Sequence, residues 1–424
     1  MTTVDQPLKG KRNELGLLDS GRQRLNGWGP ALLSIALAVA YGLCIALRTY
    51  EVDLGVYLRL GGKYVFTSHL YSFVLPNTSL PFTYPPFAAL LFAPWQRTFS
   101  SVGSVQAVWT MGNLVALVGV LVLSVRLVKP SLDRVATWRL ALALSLPAVL
   151  LNPVLITIGF GQVNLFVTFL VMWDLLSERR IGKRQVPLGV ATGLAAAVKL
   201  TPLLFIPYLI LTRRWRGALT AVLTFVACEL LTFAISPTSS KAYWTKAVFK
   251  PSRAGDLTIV DNQNLWGVLD RFTHGVLPDG LMLPVLVVTA VAGLLLAAQA
   301  HRRSSPLLGV LVCAATCLLV SPISWVHHLV WVVPAILWLA FAPDRPRFGP
   351  VLAGATAVLF WSAPVWWVPY KNTSDLHLNL LQQVAGNSFF FAMLLFVGGA
   401  GVLVLRRGPR GVHQGMGLPG RLRS

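Results

Sequence analysis

Acidic residues are scarce in this sequence. The 424 residues include 15 Asp and Glu against 36 Lys and Arg, and all charged residues together make up 12% of the chain. A soluble domain carries roughly 25% charged residues. The mean hydropathy is +0.66, and apolar runs long enough to cross a bilayer recur from end to end. These values exclude an ordinary soluble protein and predict an all-α polytopic membrane protein.

The sequence also lacks a separate soluble domain and a cysteine-based site. No polar stretch is long enough for a second domain, so residues 29–405 are predicted to form a single transmembrane domain. The 4 cysteines lie in apolar segments, and no His or Cys cluster has structural-zinc spacing. The net charge of +21 is better explained by cytoplasmic loops than by nucleic acid binding, because such loops collect Lys and Arg.

Basic clusters along the chain predict its topology. Residues 1–28 and 406–424 are basic tails that we expect in the cytoplasm, the first preceding a retained signal-anchor helix. If every basic cluster is cytoplasmic, an even number of crossings separates each from the next. This gives about 12 crossings, with external loops at about 49–85, 238–280 and 370–386. The predicted spans lie near 30–48, 102–126, 140–157, 162–177, 217–236, 281–300, 306–323, 325–342, 348–369 and 387–405, with 186–212 crossing twice or re-entering.

Two apolar segments fit poorly as ordinary spans. Residues 85–96 would reach only ~18 Å as a helix, against ~30 Å of hydrocarbon, so they predict a short re-entrant or buried helix. Residues 186–212 divide at the sequence Lys199-Leu200-Thr201-Pro202 into two short halves. Broken helices at membrane depth are tolerated where they are buried in protein or line a cavity.

Asp53 follows the first apolar run directly. Asp53, Val56, Tyr57 and Leu60 have helical spacing, so one face of an interfacial helix would present Asp53 and Tyr57 together. A carboxylate there is suited to accept a proton from an attacking hydroxyl. The alternative is a solvated interfacial acid or a helix cap.

Three polar groups interrupt the apolar segments that follow. Gln162 and Asn164, after a Gly-Phe-Gly turn, offer the uncharged donors and acceptors that sugar hydroxyls require, or simply cap a tight turn. Lys199 lies within an apolar run, where an ammonium needs a partner, a cavity or an anion such as a lipid phosphate, unless it snorkels to the interface.

The last external segments carry two further candidates. The run Asp261-Asn262-Gln263-Asn264 precedes Trp266 and predicts either carbohydrate binding or a capped loop. His327 and His328 lie between two spans; adjacent histidines diverge on a helix, so a shared metal is not expected, and one of them is a candidate phosphate donor. A structural, hydrogen-bonded histidine is the alternative.

Two acids remain inside apolar segments. Asp174 lies near the basic end of its helix and is expected to pair with a neighbouring Arg. Glu229 lies deeper, where an ionisable residue suggests a function, a packing contact or a proton path.

Six motifs occur along the chain in a fixed order. They are Asp53-Leu54-x-Val56-Tyr57, Phe82-Thr83-Tyr84-Pro85-Pro86, Gly161-Gln162-x-Asn164, Lys199-Leu200-Thr201-Pro202, Asn262-Gln263-Asn264 and Ser321-Pro322-Ile323-Ser324-Trp325-x-His327-His328. This order resembles glycosyltransferase family 87 of the GT-C superfamily, and within it the mycobacterial polyprenol-phosphate-mannose-dependent α-1,2-mannosyltransferases. The resemblance covers roughly residues 50 to 330. The last residue of the fifth motif is Asn264, where the family pattern has Ser.

The resemblance implies a GT-C fold and an active site on the extracytoplasmic side of the plasma membrane. It implies inverting transfer of mannose from polyprenyl-phosphate-mannose, a substrate rather than a cofactor, to a phosphatidylinositol mannoside. Asp53 would be the general base, and Lys199 with His327 or His328 would hold the leaving phosphate; no metal is expected. The expected sugar- and acceptor-binding residues are Tyr57, Lys63, Tyr84, Gln162, Asn164, Asp261, Asn262, Gln263, Asn264 and Trp325.

Other functions fit the pattern less well. A lipoarabinomannan-branching mannosyltransferase or a decaprenyl-phosphate-dependent arabinofuranosyltransferase would share much of it. A transporter or flippase of lipid-linked sugars would carry internal repeats and charges near the midplane. No repeat is clear and Glu229 is the one deep acid, whereas the polar groups gather on one side, which favours an enzyme.

Overall fold

Helices dominate the part of the chain that the structure describes. The computed structural model describes residues 27–49, 52–75, 80–98, 102–181, 183–276, 278–369 and 375–407. The predicted cytoplasmic tails lie outside these ranges except at residues 27–28 and 406–407. The helices are α1 (Gly29–Thr49), α2 (Val52–Val56), α3 (Pro86–Thr98), α4 (Val102–Val128), α5 (Arg134–Ala143), α6 (Ser145–Val149), α7 (Asn152–Gly159), α8 (Asn164–Leu176), α9 (Val190–Val198), α10 (Phe205–Leu211), α11 (Trp215–Ile235), α12 (Pro237–Thr245), α13 (Leu265–Phe272), α14 (Asp279–Arg303), α15 (Pro306–Val320), α16 (Val332–Phe341), α17 (Gly349–Ser362), α18 (Leu380–Gly386) and α19 (Ser388–Arg406).

Short irregular elements connect these helices. A π-helical segment, Tyr57–Gly62, continues α2, and 3-10 turns include Thr201–Leu204 and Val326–Trp331. Strands β1 (Arg180–Ile181) and β2 (Arg184–Gln185) form a two-stranded antiparallel hairpin in which Arg180 pairs with Gln185.

Six of the described helices are long and apolar enough to cross a membrane, or seven if the bent pair α7 and α8 counts as one span. They include α1, α4, α11, α14 and α19. Three shorter apolar segments, Thr201–Leu211, Pro306–Val320 and Val326–Phe341, add to the bundle. An all-α membrane protein is therefore confirmed, while about 12 crossings and a GT-C arrangement stay predictions.

The predicted short and broken segments are present. Helix α3 (Pro86–Thr98) is a separate short helix, and the run 186–212 breaks at Lys199 between α9 and a 3-10 turn. The predicted span at 140–157 consists of three short helices, α5, α6 and α7, and its crossing of the membrane stays a prediction. Pro153, at the start of α7, has no N–H to continue an upstream helix, which accounts for one of these breaks.

Glycines bring α9 against α11. A Cβ on Gly193 would clash with the carbonyl of Ala221 and lie 2.8 Å from Thr224 Cβ, and Gly189 similarly faces the Gly217 carbonyl. Gly189 also has φ +102°, a conformation that costs other residues energy. Small residues allow two membrane helices to approach closely. This contact fixes the position of α9, whose far end carries Lys199.

Asp174 does not pair with an arginine as expected. Its carboxylate is fully buried and accepts hydrogen bonds from the N–H groups of Gly189 and Thr192, at 3.0 Å, and from the Thr192 hydroxyl at 2.6 Å. Arg179 instead donates to the Asp174 main-chain carbonyl. The acid therefore caps the first turn of α9, because the N–H groups there have no partner within the helix.

Candidate active site

Asp53 lies in the short helix α2, beside the turn between α7 and α8. The Leu54 N–H donates to the Phe160 carbonyl at 3.1 Å, which holds α2 on that turn. Gln162, in the same turn, donates from Nε2 to Asp53 Oδ2 at 2.7 Å. The Gly161 φ of +68° suits glycine and shapes the turn that brings Gln162 to the carboxylate. Two predicted site residues therefore meet directly.

Two tyrosines hold the other end of the Gln162 amide. The Tyr84 hydroxyl donates to Gln162 Oε1 at 2.7 Å, and the Tyr57 hydroxyl donates to the Tyr84 hydroxyl at 3.0 Å. The Tyr57 and Tyr84 rings stack with centroids 5.1 Å apart. With its oxygen occupied, Gln162 can offer only its NH₂ group to Asp53. The chain Tyr57, Tyr84, Gln162, Asp53 thus aims one fixed donor at the carboxylate.

Burial sets the protonation of this network. It raises the pKa of Asp53 to about 6, although the Gln162 hydrogen bond and the positive charge of Lys199 act in the opposite direction. Burial also raises the pKa of the Tyr57 and Tyr84 hydroxyls above their ordinary value, so both remain donors. A carboxylate with a pKa near 6 is mostly ionised at neutral pH and is a stronger base than an ordinary aspartate.

Lys199 follows the last residue of α9 and is 7% exposed. Its Nζ donates to Asn164 Oδ1 at 2.7 Å and lies 5.4 Å from the centroid of the Tyr84 ring. Among the described residues no carboxylate lies within 4.0 Å of this ammonium. An ammonium buried among neutral partners favours an incoming anion, because burial without a counter-charge is costly.

Asn164 joins Lys199 to the histidine segment. Its Nδ2 donates to the His327 carbonyl at 2.9 Å, and the Thr157 hydroxyl donates to the same oxygen at 2.9 Å. The carbonyl of His327 is therefore fixed by two helices, α7 and α8. Thr157 is a positioning residue that the sequence did not reveal, because a single Thr in an apolar run has no distinguishing pattern.

The two histidine rings are in edge-to-face contact, although the sequence predicted that they point in different directions. Their centroids are 4.7 Å apart and their planes meet at 83°. His327 packs against Phe160, whereas His328 lines a cavity of about 30 Å³ with Lys199, Asn164, Thr201 and other residues. Within the described part of the chain, both ring nitrogens of His327 and Nδ1 of His328 have no hydrogen-bond partner. Buried polar atoms normally have partners, so these nitrogens mark room for a polar ligand.

The amides of Asn262, Gln263 and Asn264 bind the protein's own backbone. Asn262 binds the Leu257 carbonyl and the Ser324 N–H, both at 2.9 Å. Gln263 binds the Gly386 carbonyl at 2.7 Å and the Phe390 N–H at 2.9 Å. Asn264 caps α13 through the Gly267 N–H at 2.7 Å. These contacts favour the capped-loop alternative over carbohydrate binding for this run.

Asp261 behaves differently from the three amides that follow it. Its Oδ1 accepts from the Val326 N–H at 2.9 Å, which joins its loop to the histidine segment. Burial and the nearby Asp53 charge raise the pKa of Asp261 to about 6, against the effect of the Val326 N–H. Asp261 is therefore electrostatically close to Asp53, and a role in binding the acceptor stays a prediction.

Two other predicted residues, Lys63 and Trp325, lie apart from the Asp53 network within the described part of the chain. The Lys63 side chain is exposed, and its Nζ lies 5.3 Å from the ring centroid of Tyr64. Trp325 forms a backbone bridge with Asn262, and its ring lies against Gly255. Their part in acceptor binding stays a prediction.

Arg271 is a second residue that the sequence did not reveal. It is fully buried and donates to the carbonyls of Ile259 (2.7 Å) and Asn262 (2.8 Å) and to Asn387 Oδ1 (2.6 Å). It thereby fixes the loop that carries Asp261. An Arg on a short external helix normally faces water, so nothing in the sequence distinguished it.

A family model and several curated proteins match this chain. The model of glycosyltransferase family 87 matches residues 82–322. No solved structure matches the chain.

Three curated relatives cover most of the chain. A protein of Mycolicibacterium smegmatis named polyprenol-phosphate-mannose-dependent alpha-(1-2)-phosphatidylinositol mannoside mannosyltransferase is 32% identical, over 82% of this chain and 84% of its own. Its Mycobacterium tuberculosis namesake is 31% identical over 89% and 90%. A Mycobacterium tuberculosis protein named for a phosphatidylinositol pentamannoside acceptor is 31% identical over 76% and 74%.

Proposed function

Because the chain belongs to glycosyltransferase family 87, we propose that it is an inverting membrane mannosyltransferase that uses polyprenyl-phosphate-mannose. The acceptor is a phosphatidylinositol mannoside, and the new bond is an α-1,2 linkage. The names of the curated relatives support the donor, the acceptor class and the linkage. One observation carries the chemistry: Tyr84 links a carboxylate to a buried ammonium. Its hydroxyl donates to Gln162, which holds Asp53, and its ring centroid lies 5.4 Å from Lys199 Nζ.

Asp53 is the general base in this proposal. The acceptor hydroxyl attacks C1 of the mannose while its proton passes to the Asp53 carboxylate. The new C1–O bond forms as the bond from C1 to the phosphate oxygen breaks on the opposite face, so a β-linked donor gives an α-linked product. Gln162 holds the carboxylate in one orientation, which keeps it aligned with the incoming hydroxyl.

Lys199 and His328 bind the leaving phosphate. The phosphate gains one negative charge as the C1–O bond breaks, and a buried ammonium stabilises that charge strongly because little water screens it. Asn164 holds Lys199 in place, and His328 faces the same cavity. His327 has its ring against Phe160, which supports His328 as the phosphate ligand.

This mechanism needs no metal ion, because Lys199 counters the phosphate charge and Asp53 removes the proton. We therefore expect turnover to continue in excess EDTA. In this proposal the active site lies on the extracytoplasmic side, because Asp53 and Asp261 belong to the predicted external loops, and both termini lie in the cytoplasm.

Product analysis by mass spectrometry tests the function. Purified protein in detergent receives polyprenyl-phosphate-mannose and phosphatidylinositol mannosides that carry two, four or five mannoses. We expect the four-mannose acceptor to gain one mannose. If only the five-mannose acceptor gains a mannose, the enzyme adds the sixth mannose rather than the fifth. If no acceptor gains a mannose, the proposal is wrong.

Decaprenyl-phosphate-arabinose serves as the matched donor control, with the same acceptors and detergent. The mannosyltransferase proposal predicts no pentose transfer. A product with one added pentose would instead identify an arabinofuranosyltransferase.

A further inference from the structure

A large apolar cavity lies among α15, α16, α17 and α19. Its volume is about 770 Å³, and its lining includes Ala315, Ala335, Trp338, Phe360 and Ala392. Small-molecule binding sites occupy roughly 300–1,000 Å³. The mechanism above uses none of these side chains, so the cavity has no role in the chemistry itself.

This cavity adjoins the Lys199 site. Leu318 and Trp331 line both the large apolar cavity and the cavity that contains Lys199 and His328. Trp331 follows His328 by three residues, in the same 3-10 turn. A ligand with a phosphate at Lys199 and a hydrocarbon chain attached to that phosphate would place the chain here.

The cavity also reaches the outer surface of the helix bundle. Leu352, Leu395 and Val402 belong to its lining and are 47%, 75% and 51% exposed. On a membrane helix such residues face lipid. The chain of a long ligand therefore has a path from the bilayer to the phosphate site.

A smaller apolar cavity, of about 430 Å³, lies among α3, α4, α8 and α9. It shares Val167 with the Lys199 cavity and includes Phe92, whose ring stacks on Tyr57 with centroids 4.9 Å apart. It is therefore the competing place for a hydrocarbon chain. The 770 Å³ cavity is the larger of the two and shares two lining residues with the Lys199 cavity, which favours it.

We infer that the α15–α19 cavity binds the isoprenoid chain of the donor. The inference rests on the proposed function for the identity of the donor. The charge of Lys199 selects the phosphate, and the apolar lining selects a long hydrocarbon chain behind it. Burial of apolar surface then adds affinity for each isoprene unit that enters the cavity.

Donor chain length provides the test. Wild-type protein is assayed with mannosyl phosphates on a long polyprenyl chain and on a ten-carbon isoprenoid, and kcat/KM is compared. Ala335→Leu, Ala335→Trp and Ala392→Leu fill the cavity from two helices. We expect each to lower kcat/KM for the long donor by about tenfold or more and to leave the short donor nearly unchanged.

Val108→Trp fills the smaller cavity and is the matched control. It should preserve the ratio of long-donor to short-donor kcat/KM. The inference is wrong if the cavity-filling Leu variants keep the wild-type ratio, or if Val108→Trp lowers that ratio instead. If Ala335→Trp lowers kcat/KM equally for both donors, the substitution has damaged the fold. The two Leu variants then decide whether the cavity binds the donor chain.

A binding measurement separates this inference from the proposed function. Polyprenyl phosphate without a sugar should raise the thermal unfolding temperature of the wild type, and less so that of the Leu variants. If the wild type transfers no mannose yet shows this pattern, the cavity assignment stands and the proposed function fails. If polyprenyl phosphate stabilises wild type and variants equally, the cavity assignment fails.

Discussion

Asp53 combines a raised pKa with a single fixed donor. The sequence placed this acid beside an apolar run and gave it helical spacing with Tyr57, and the structure brings Gln162 and Tyr84 to it from distant segments. Spacing cannot reveal such partners, because they lie 109 and 31 residues away in the chain. The polar run at 262–264 shows a second limit of sequence analysis. Its amides could bind either sugar hydroxyls or backbone groups, and the sequence does not distinguish these two partners.

Asp53→Asn should reduce turnover by about 10² to 10⁴, the usual contribution of a general base. The protein should remain folded, because Asn still accepts the Gln162 hydrogen bond. Turnover is measured with donor and acceptor lipids in detergent, and folding by thermal unfolding. The matched control Asp256→Asn, an exposed loop acid that binds Thr258, should keep wild-type activity. Turnover that survives Asp53→Asn would show that another group removes the proton.

The wild-type pH profile should reflect the raised pKa of Asp53, about 6. The base acts only when ionised, so kcat/KM should fall about tenfold for each pH unit below 6 and level off above it. Initial rates between pH 4.5 and 8.5 measure the profile. An acid limb near pH 4 would mean that the base is better solvated than the structure shows.

Tyr84→Phe should lower kcat about tenfold, the effect of about one lost hydrogen bond at the reacting centre. Without the Tyr84 hydroxyl, Gln162 is free to turn its NH₂ group away from Asp53. Since that hydrogen bond lowers the pKa of Asp53, the acid limb should move to higher pH. Tyr64→Phe, whose ring packs on Phe73, is the control and should change neither quantity. If the acid limb of the pH profile stays in place in Tyr84→Phe, Tyr84 does not orient Gln162 toward Asp53.

Among the elements, the broken segment formed by α9, the 3-10 turn at Thr201–Leu204 and α10 matters most for the site. The sequence predicted its break, because Lys199 and Pro202 interrupt an apolar run. Its anchoring was not predictable: Asp174 caps α9 from a neighbouring helix, and the sequence suggested an arginine partner instead. The breaks within the neighbouring span at 140–157 were not predictable either, since hydropathy does not show where a helix is interrupted.

Asp174→Ala should destabilise the protein by about 3 kcal/mol or more, because two N–H groups and a hydroxyl lose their buried acceptor. Asp133→Ala is the control: it removes an exposed N-cap of α5 and should cost about 1 kcal/mol. Thermal unfolding in detergent compares the two. Equal shifts would show that the Asp174 contacts contribute little.

At the scale of the whole molecule, composition predicted the membrane class and the all-α architecture. The number of crossings does not follow from hydropathy, because α3, α9 and α10 are apolar but too short to cross alone. Basic loops also set the expected orientation, which puts the β1–β2 hairpin in the cytoplasm and the loop after α12 outside.

Cysteine labelling tests this orientation. Lys250→Cys, in the loop after α12, should react with a membrane-impermeant maleimide in intact cells. Lys183→Cys, in the hairpin, should react only after permeabilisation. The wild-type chain, with its own four cysteines, provides the background. The reverse pattern would place the Asp53 site on the cytoplasmic side.

The base and the phosphate ligands come from separate parts of the chain, and this has an evolutionary consequence. Asp53 and Tyr57 lie on α2 and its continuation, whereas Lys199 and His328 belong to two later segments. If Tyr57 binds the acceptor, as the family resemblance implies, substitutions around it change acceptor recognition and leave Lys199 untouched. After gene duplication, two copies can diverge in the glycan that they extend while they draw on one common pool of activated mannose.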